Sequence, residues 1–218
     1  MAKKKDSNDN KANIKHIAVA GNIGSGKTTL TSLLAKHYNW NPRFEDVESN
    51  PYLNDFYADM PRWSFNLQVY FLNHRLQQLL EIQEGNEVVI QDRTIYEDAH
   101  IFAPNLHEMG LMNNRDFENY ISLFKTINKQ ITPPNLLIYL KASLGTLVSQ
   151  IEKRGRAYED NIRLDYLKQL NHYYDNWIEN YKEGPLLIIP VDDLNFADKP
   201  EDFGKVVDKI NAELFGLF

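Results

Sequence analysis

The chain of 218 residues contains no cysteine, which excludes a thiol nucleophile, a disulfide frame and any cysteine-ligated zinc or iron–sulfur centre. Basic residues are in the minority, 24 Lys and Arg against 30 Asp and Glu, and the net −6 argues against a surface that grips duplex DNA or RNA. No run approaches the roughly 18–20 apolar residues of a membrane helix, so no membrane partner is expected. The basic start MAKKKDSNDNKANIK fails as a signal sequence, because Asp6, Ser7, Asn8, Asp9 and Asn10 stand where an apolar segment should follow. Residues 1–14 read as a disordered tail and residues 15–218 as one domain, with cytoplasmic residence the default. Five lysines (3, 4, 5, 11 and 15) against Asp6 and Asp9 put +3 into residues 1–15, leaving −9 for residues 16–218. The histidines at 16, 37, 74, 100, 107 and 172 show no metal-ligand spacing. What the chain does have is 43% hydrophobic residues, enough at this length to bury roughly 70% of the unfolded surface without a covalent or metal staple.

Short runs that are apolar at consecutive positions mark buried strands: His16–Ala20, Glu87–Gln91, Asn135–Leu140 and Leu186–Val191, with a fifth near Arg43–Val47. Segments of helical period separate them. Phe65, Val69, Leu72, Leu76 and Leu79 form one stripe; Phe117, Tyr120 or Ile121, Phe124 and Ile127 a second; Leu164, Leu167, Leu170 or Tyr174, Trp177 and Tyr181 a third. Strand and helix alternating in this way predict an α/β fold of three layers, a parallel sheet of about five strands flanked by helices.

After the first strand comes Gly21-Asn22-Ile23-Gly24-Ser25-Gly26-Lys27-Thr28, followed by Thr29, which fits GxxxxGK[ST] between a strand and a helix. Its glycines let backbone N–H groups turn inward around phosphate oxygens, and the positive end of the next helix faces the same anion. Lys27 is placed to reach the β and γ phosphates of ATP and Thr28 to take a position on Mg²⁺. A plain glycine turn before a helix is the alternative. Asp92 ends a neighbouring strand and could supply the metal's carboxylate, with Arg93 directly after it; a simple acid–base capping pair is the competing reading.

Hydrolysis, switching and transfer all use such a loop, so the acceptor side decides. A guanine-specific switch would carry NKxD, and Asn128-Lys129-Gln130-Ile131 lacks the Asp. Glu45, at the end of the presumed second strand, suits an uncharged hydroxyl whose proton it can accept, and would repel an acceptor that already bears phosphate. Arg154 and Arg156, either side of Gly155, could close as an arginine-bearing lid over a transferring phosphoryl group, or could merely balance a helix dipole.

Taken in order, GNIGSGKTT, the acidic segment opening FEDVESNPYL, DRTIYEDAHIFA and RGRAYE resemble the deoxynucleoside kinase family over about Ile17–Phe196. The resemblance implies a P-loop kinase fold and phosphorylation of a deoxynucleoside 5′-hydroxyl by Mg-ATP in nucleoside salvage. It makes Glu45 the general base, puts Arg93 between hydroxyl and phosphates, and gathers Thr28, Asp92 and Glu45 around Mg²⁺. Tyr57 and Glu159 match the pair on the sugar 3′-hydroxyl, Gln68 the glutamine on the base, Arg75 with Asp98 the charged pair behind it, and Phe102 the aromatic wall. Arg154 and Arg156 match the lid arginines. Asn50 stands where other members carry a base-contacting Trp, and Gln150 where some carry an arginine on the ATP adenine. A purine substrate is expected, deoxyadenosine first, then deoxyguanosine, with deoxycytidine a further candidate; a homodimer is expected too. The alternatives are a nucleoside monophosphate kinase resembling thymidylate kinase and a P-loop ATPase or switch without a nucleoside acceptor.

Overall fold

The computed structural model describes residues 14–45, 49–156, 159 and 162–216. Five strands lie side by side in the order β2-β3-β1-β4-β5, every pairing parallel: β1 His16–Gly21, β2 Asn41–Arg43, β3 Val89–Asp92, β4 Leu136–Lys141 and β5 Leu186–Pro190. The consecutive apolar runs have a simple cause. Ala18, Ala20, Val89, Leu137 and Tyr139 belong to one buried cluster and Ile17, Val19, Ile90, Leu136, Ile138 and Leu140 to another, so alternate side chains enter two cores on opposite faces of the sheet. Helices α3 Met60–Glu84, α6 Asn114–Asn128 and α8 Leu164–Glu179 supply the first core; α1 Lys27–Tyr38 and α9 Pro200–Phe215 supply the second. The shorter helices are α2 Leu53–Ala58, α4 Ile95–Glu97, α5 Ala103–Glu108 and α7 Leu144–Arg154. Ile14, assigned to the tail by composition, packs against the second core; the rest of that tail lies outside the described residues.

Two expectations are corrected. The second strand is Asn41–Arg43, earlier and shorter than the run near Arg43–Val47. It is an edge strand, where Pro42 costs no ladder bond, and the chain leaves the sheet after Arg43 pairs with Gln91. Glu45 therefore lies beyond the strand, and Asp46–Glu48 fall outside the described residues. On α3, the buried face consists of Ser64, Leu67, Gln68, Phe71, Leu72, Arg75, Leu79 and Ile82. Phe65, Val69 and Leu76 are only partly buried beside it. The apolar stripe shares Leu72 and Leu79 with this face, which is rotated toward the polar Ser64, Gln68 and Arg75.

An unexpected polar chain runs from a buried start at His16 outward to the surface near β2. The His16 Nε2–H donates to Gln91 Oε1 at 3.0 Å, Gln91 Nε2 donates to Gln78 Oε1 at 2.9 Å, and Gln78 Nε2 donates to the Phe44 carbonyl at 3.1 Å. Burial, only partly opposed by the Gln91 hydrogen bond, pushes the His16 imidazole down to about 4. The unfolded chain, titrating near the ordinary value of about 6.5, takes up the proton first. The stability this neutral histidine allows is complete above about pH 6.5 and is lost as pH falls through 4, a contribution on the order of 3 kcal/mol. Urea midpoints at pH 7 and pH 5 should therefore differ less in His16→Gln than in the parent protein.

Candidate active site

The glycine-rich loop follows β1 and leads into α1, as its spacing requires. Gly24 and Gly26 have φ of +85° and +91°, and a Cβ on Gly24 would lie 2.7 Å from the Leu147 carbonyl oxygen, so glycine is demanded there by both torsion and space. The loop is held from below by Asn22, whose Oδ1 accepts from the Ile23 amide at 2.7 Å while its Nδ2 donates to the Leu167 carbonyl (3.1 Å) and Asn171 Oδ1 (2.6 Å) of α8. Lys27 is buried and its Nζ donates to the Asn22 carbonyl at 3.0 Å. Burial lowers its pKa to about 8, reinforced by Arg93 and opposed by Asp92, Glu97 and Glu45. Ser25 and Thr29 line a second cleft on the far side of the loop with Gly24, Gly26, Gln150 and Phe196, about 460 Å³ in volume.

A larger cleft of about 890 Å³ opens between this loop and α3. The structure brings to it every proposed acceptor residue except Arg75: Glu45, Tyr57, Gln68, Asp98, Phe102, Arg154, Arg156 and Glu159 line it together with Ile23, Lys27, Thr28, Asp92 and Arg93. Arg75 lies immediately behind, fully enclosed over the Phe71 ring at 5.1 Å. Leu53, Phe56, Leu67 and Tyr166 complete the apolar wall and were not singled out, since each reads as ordinary core. Asn50 does not line the cleft; its Oδ1 caps the Tyr52 amide at 2.9 Å.

Charge pairing organises the floor. Arg75 donates from Nε to Asp98 Oδ2 at 2.5 Å and from Nη2 to Glu45 Oε1 at 2.8 Å, while Arg93 Nε lies 3.4 Å from Glu45 Oε2. Burial would raise the Glu45 carboxyl, but the guanidiniums of Arg93 and Arg75 and the Lys27 ammonium overcome it and hold it down at about 2. For Asp98 burial wins, raising it to about 6 against the pull of Arg75. Asp98–Phe102 form a π-helical turn, and Asp98 and Phe102, four residues apart, both line the cleft. The Arg93 guanidinium stacks 4.5 Å over the Phe102 ring. Gln68 is 2% exposed and its Oε1 has no hydrogen-bond partner, an unsatisfied acceptor at a site that selects for a polar ligand.

Near the loop, Thr28 Oγ1 donates to Asp92 Oδ2 at 2.5 Å, whereas the buried Asp92 Oδ1 is without a partner. Burial raises Asp92, opposed by Lys27 and the Thr28 hydrogen bond. At the mouth, Arg154 ends α7 and Arg156 follows Gly155, whose φ of +62° reverses the chain. Both arginines pair with Glu159: Arg154 Nε donates to Oε2 at 3.0 Å and Arg156 Nη1 is 3.8 Å from Oε1. Ala157 and Tyr158 of the same segment lie outside the described residues. Among the described residues no helix is long and apolar enough to cross a membrane.

Residues 17–215 match the deoxynucleoside kinase family. The deoxyadenosine/deoxycytidine kinase of Bacillus subtilis is 38% identical over 198 residues, covering 89% of this chain and 90% of its own length. The deoxyadenosine kinase of Lactobacillus acidophilus is 39% identical over 212 residues, covering 92% and 97%. The structure of the M. mycoides deoxyadenosine kinase with bound dATP superposes with a TM-score of 0.80 at 28% identity, covering 90% of this chain and 99% of that one. With a family match that spans nearly the whole chain and relatives of this identity and coverage, the protein belongs to the deoxynucleoside kinase family.

Proposed function

We propose that this chain transfers the γ-phosphoryl group of ATP to the 5′-hydroxyl of a purine deoxynucleoside, deoxyadenosine ahead of deoxyguanosine, with deoxycytidine also accepted. The observation that carries this reading is one cleft with Glu45 and Arg93 at the phosphate loop and Gln68 with the Arg75–Asp98 pair at its inner end. Gln68 can present donor and acceptor to the N6/N7 edge of adenine. Tyr57 and Glu159 serve the sugar hydroxyl. Glu45, ionised across the physiological range because its pKa is held near 2, accepts the 5′-proton as the hydroxyl bonds to phosphorus. Lys27 and Arg93, joined by Arg154 and Arg156 from the lid, balance the charge on the transferring group.

Thr28 and Asp92, with Glu45 nearby, fit Mg²⁺: they are hard oxygen donors, and one buried Asp92 oxygen is without a partner. Bound there, Mg²⁺ would be held by Thr28 and Asp92 and would supply positive charge to neutralise the phosphates. We place the protein in the cytoplasm as a homodimer; α3 and α6, which pack on each other, leave Leu80 and Leu123 exposed by 41% and 43%. A monophosphate acceptor is disfavoured because its phosphate would meet Glu45.

ADP formation measured with Mg-ATP and each deoxynucleoside in turn tests the reading. Deoxyadenosine should give the highest kcat/KM. Faster thymidine phosphorylation would refute the base preference, and ATP hydrolysis independent of any nucleoside would refute the transferase reading.

A further inference from the structure

Glu97 is a fully enclosed acid that the proposed transfer does not use. Its Oε2 accepts from the Thr94 amide at 2.7 Å and lies 3.3 Å from the Thr94 hydroxyl, the pattern of a capping box at the start of α4. A cap explains only that oxygen. Oε1 accepts from the amide of Gly21, the first residue of the phosphate loop, at 3.2 Å and from the Tyr174 hydroxyl at 2.7 Å, and the Arg93 Nη1 is 3.6 Å away. The Tyr174 hydroxyl also lies 2.8 Å from the Gly21 carbonyl and accepts from Arg93 Nη1 at 3.0 Å.

A three-residue helix does not justify sinking a carboxylate out of water, which costs several kcal/mol unless it is paired. What the burial achieves is visible in the backbone. Arg93 has φ of +68°, a left-handed conformation that a non-glycine residue keeps only when its surroundings impose it. Its own amide bonds the Val19 carbonyl at 2.9 Å, and the amide of the next residue is held by Glu97. One carboxylate thus grips the peptide just after Arg93, the Arg93 guanidinium and the loop that cradles the donor phosphates.

We propose that Glu97, together with Tyr174, is a positioning residue: it holds Arg93 in its left-handed conformation and keeps the acceptor side of the reaction in register with the phosphate loop. The inference rests on reading Arg93 as the group between the 5′-hydroxyl and the phosphates. A double-mutant cycle in kcat tests it, run well below the melting temperature of every variant, with nucleoside and ATP binding measured alongside. Glu97→Gln should lower kcat about tenfold, with both dissociation constants changed by less than about threefold. Tyr174→Phe, which keeps the ring and loses the hydroxyl, should act in the same direction. Combined with Arg93→Lys, either change should cost little beyond Arg93→Lys alone, because the guanidinium that Glu97 and Tyr174 position is already gone. Losses that multiply, or full turnover in Glu97→Gln and Tyr174→Phe despite lower melting temperatures, overturn the positioning role. Full turnover in Arg93→Lys instead overturns the reading of Arg93 itself. If Glu97→Gln does not fold, the Tyr174→Phe cycle decides alone.

Discussion

Glu45→Gln is expected to lower turnover by a factor on the order of 10² or more while deoxynucleoside binding changes little. The amide keeps the shape of the side chain and can still accept from Arg75, at 2.8 Å in the parent protein. It cannot take the 5′-proton. Because Arg93, Arg75 and Lys27 hold the parent carboxyl near 2, no acid limb from Glu45 should appear in the pH profile anywhere near neutrality. Single-turnover rates alongside equilibrium nucleoside titration separate the two effects; turnover close to the parent value would remove Glu45 from the chemistry.

Arg75→Met should destabilise the fold by about 3–5 kcal/mol, because it strands Asp98, which is 1% exposed, without its only ion-pair partner among the described residues, and it removes one of Glu45's two. Asp98→Asn should cost less, since Arg75 retains Glu45. The double change Arg75→Met with Asp98→Leu should recover much of the stability, as apolar replacement of a buried pair often does, yet bind purine deoxynucleosides far more weakly. Urea unfolding of the three variants gives the energies, and nucleoside titration of the double variant gives the cost to recognition. A stable double variant with undiminished purine binding would contradict the role given to the pair.

The phosphate loop was legible because all its requirements fall on consecutive residues: glycines where torsion and space demand them, then Lys27 and Thr28 at the helix start. The sheet was legible because both faces of its inner strands are covered, which makes β1 and β4 almost continuously apolar and opens β3 with Val89 and Ile90, while β5 at the edge is a plain Leu and Ile run that is only partly buried. β2 was not, since three edge residues including a proline carry almost no pattern. The buried face of α3 was hidden for a different reason. Gln68 and Arg75 face inward because they face the cleft, so the helix violates hydrophobic periodicity at the positions that matter most. Glu97 and Tyr174 gave no signal either. An acid in YED looks like any first-turn acid, and Tyr174 continues an aromatic stripe; only the meeting of α4, α8 and the β1 end shows that they share a hydrogen bond.

The strand order divides labour in a way that bears on how such proteins diversify. Glu45, Arg93, Gln68, Arg75 and Asp98 descend from β2, β3 and the elements attached to them, while the glycine loop, Gln150 and Phe196 hang from β1, β4 and β5. The base end of the acceptor cleft is thus built mainly on one half of the sheet and the second cleft on the other, while Glu159 and Tyr166 reach the acceptor cleft from beyond β4. Mutations that retune the base on one half leave the nucleotide-handling half intact, so a lineage can explore new acceptors without passing through a form that has lost its donor.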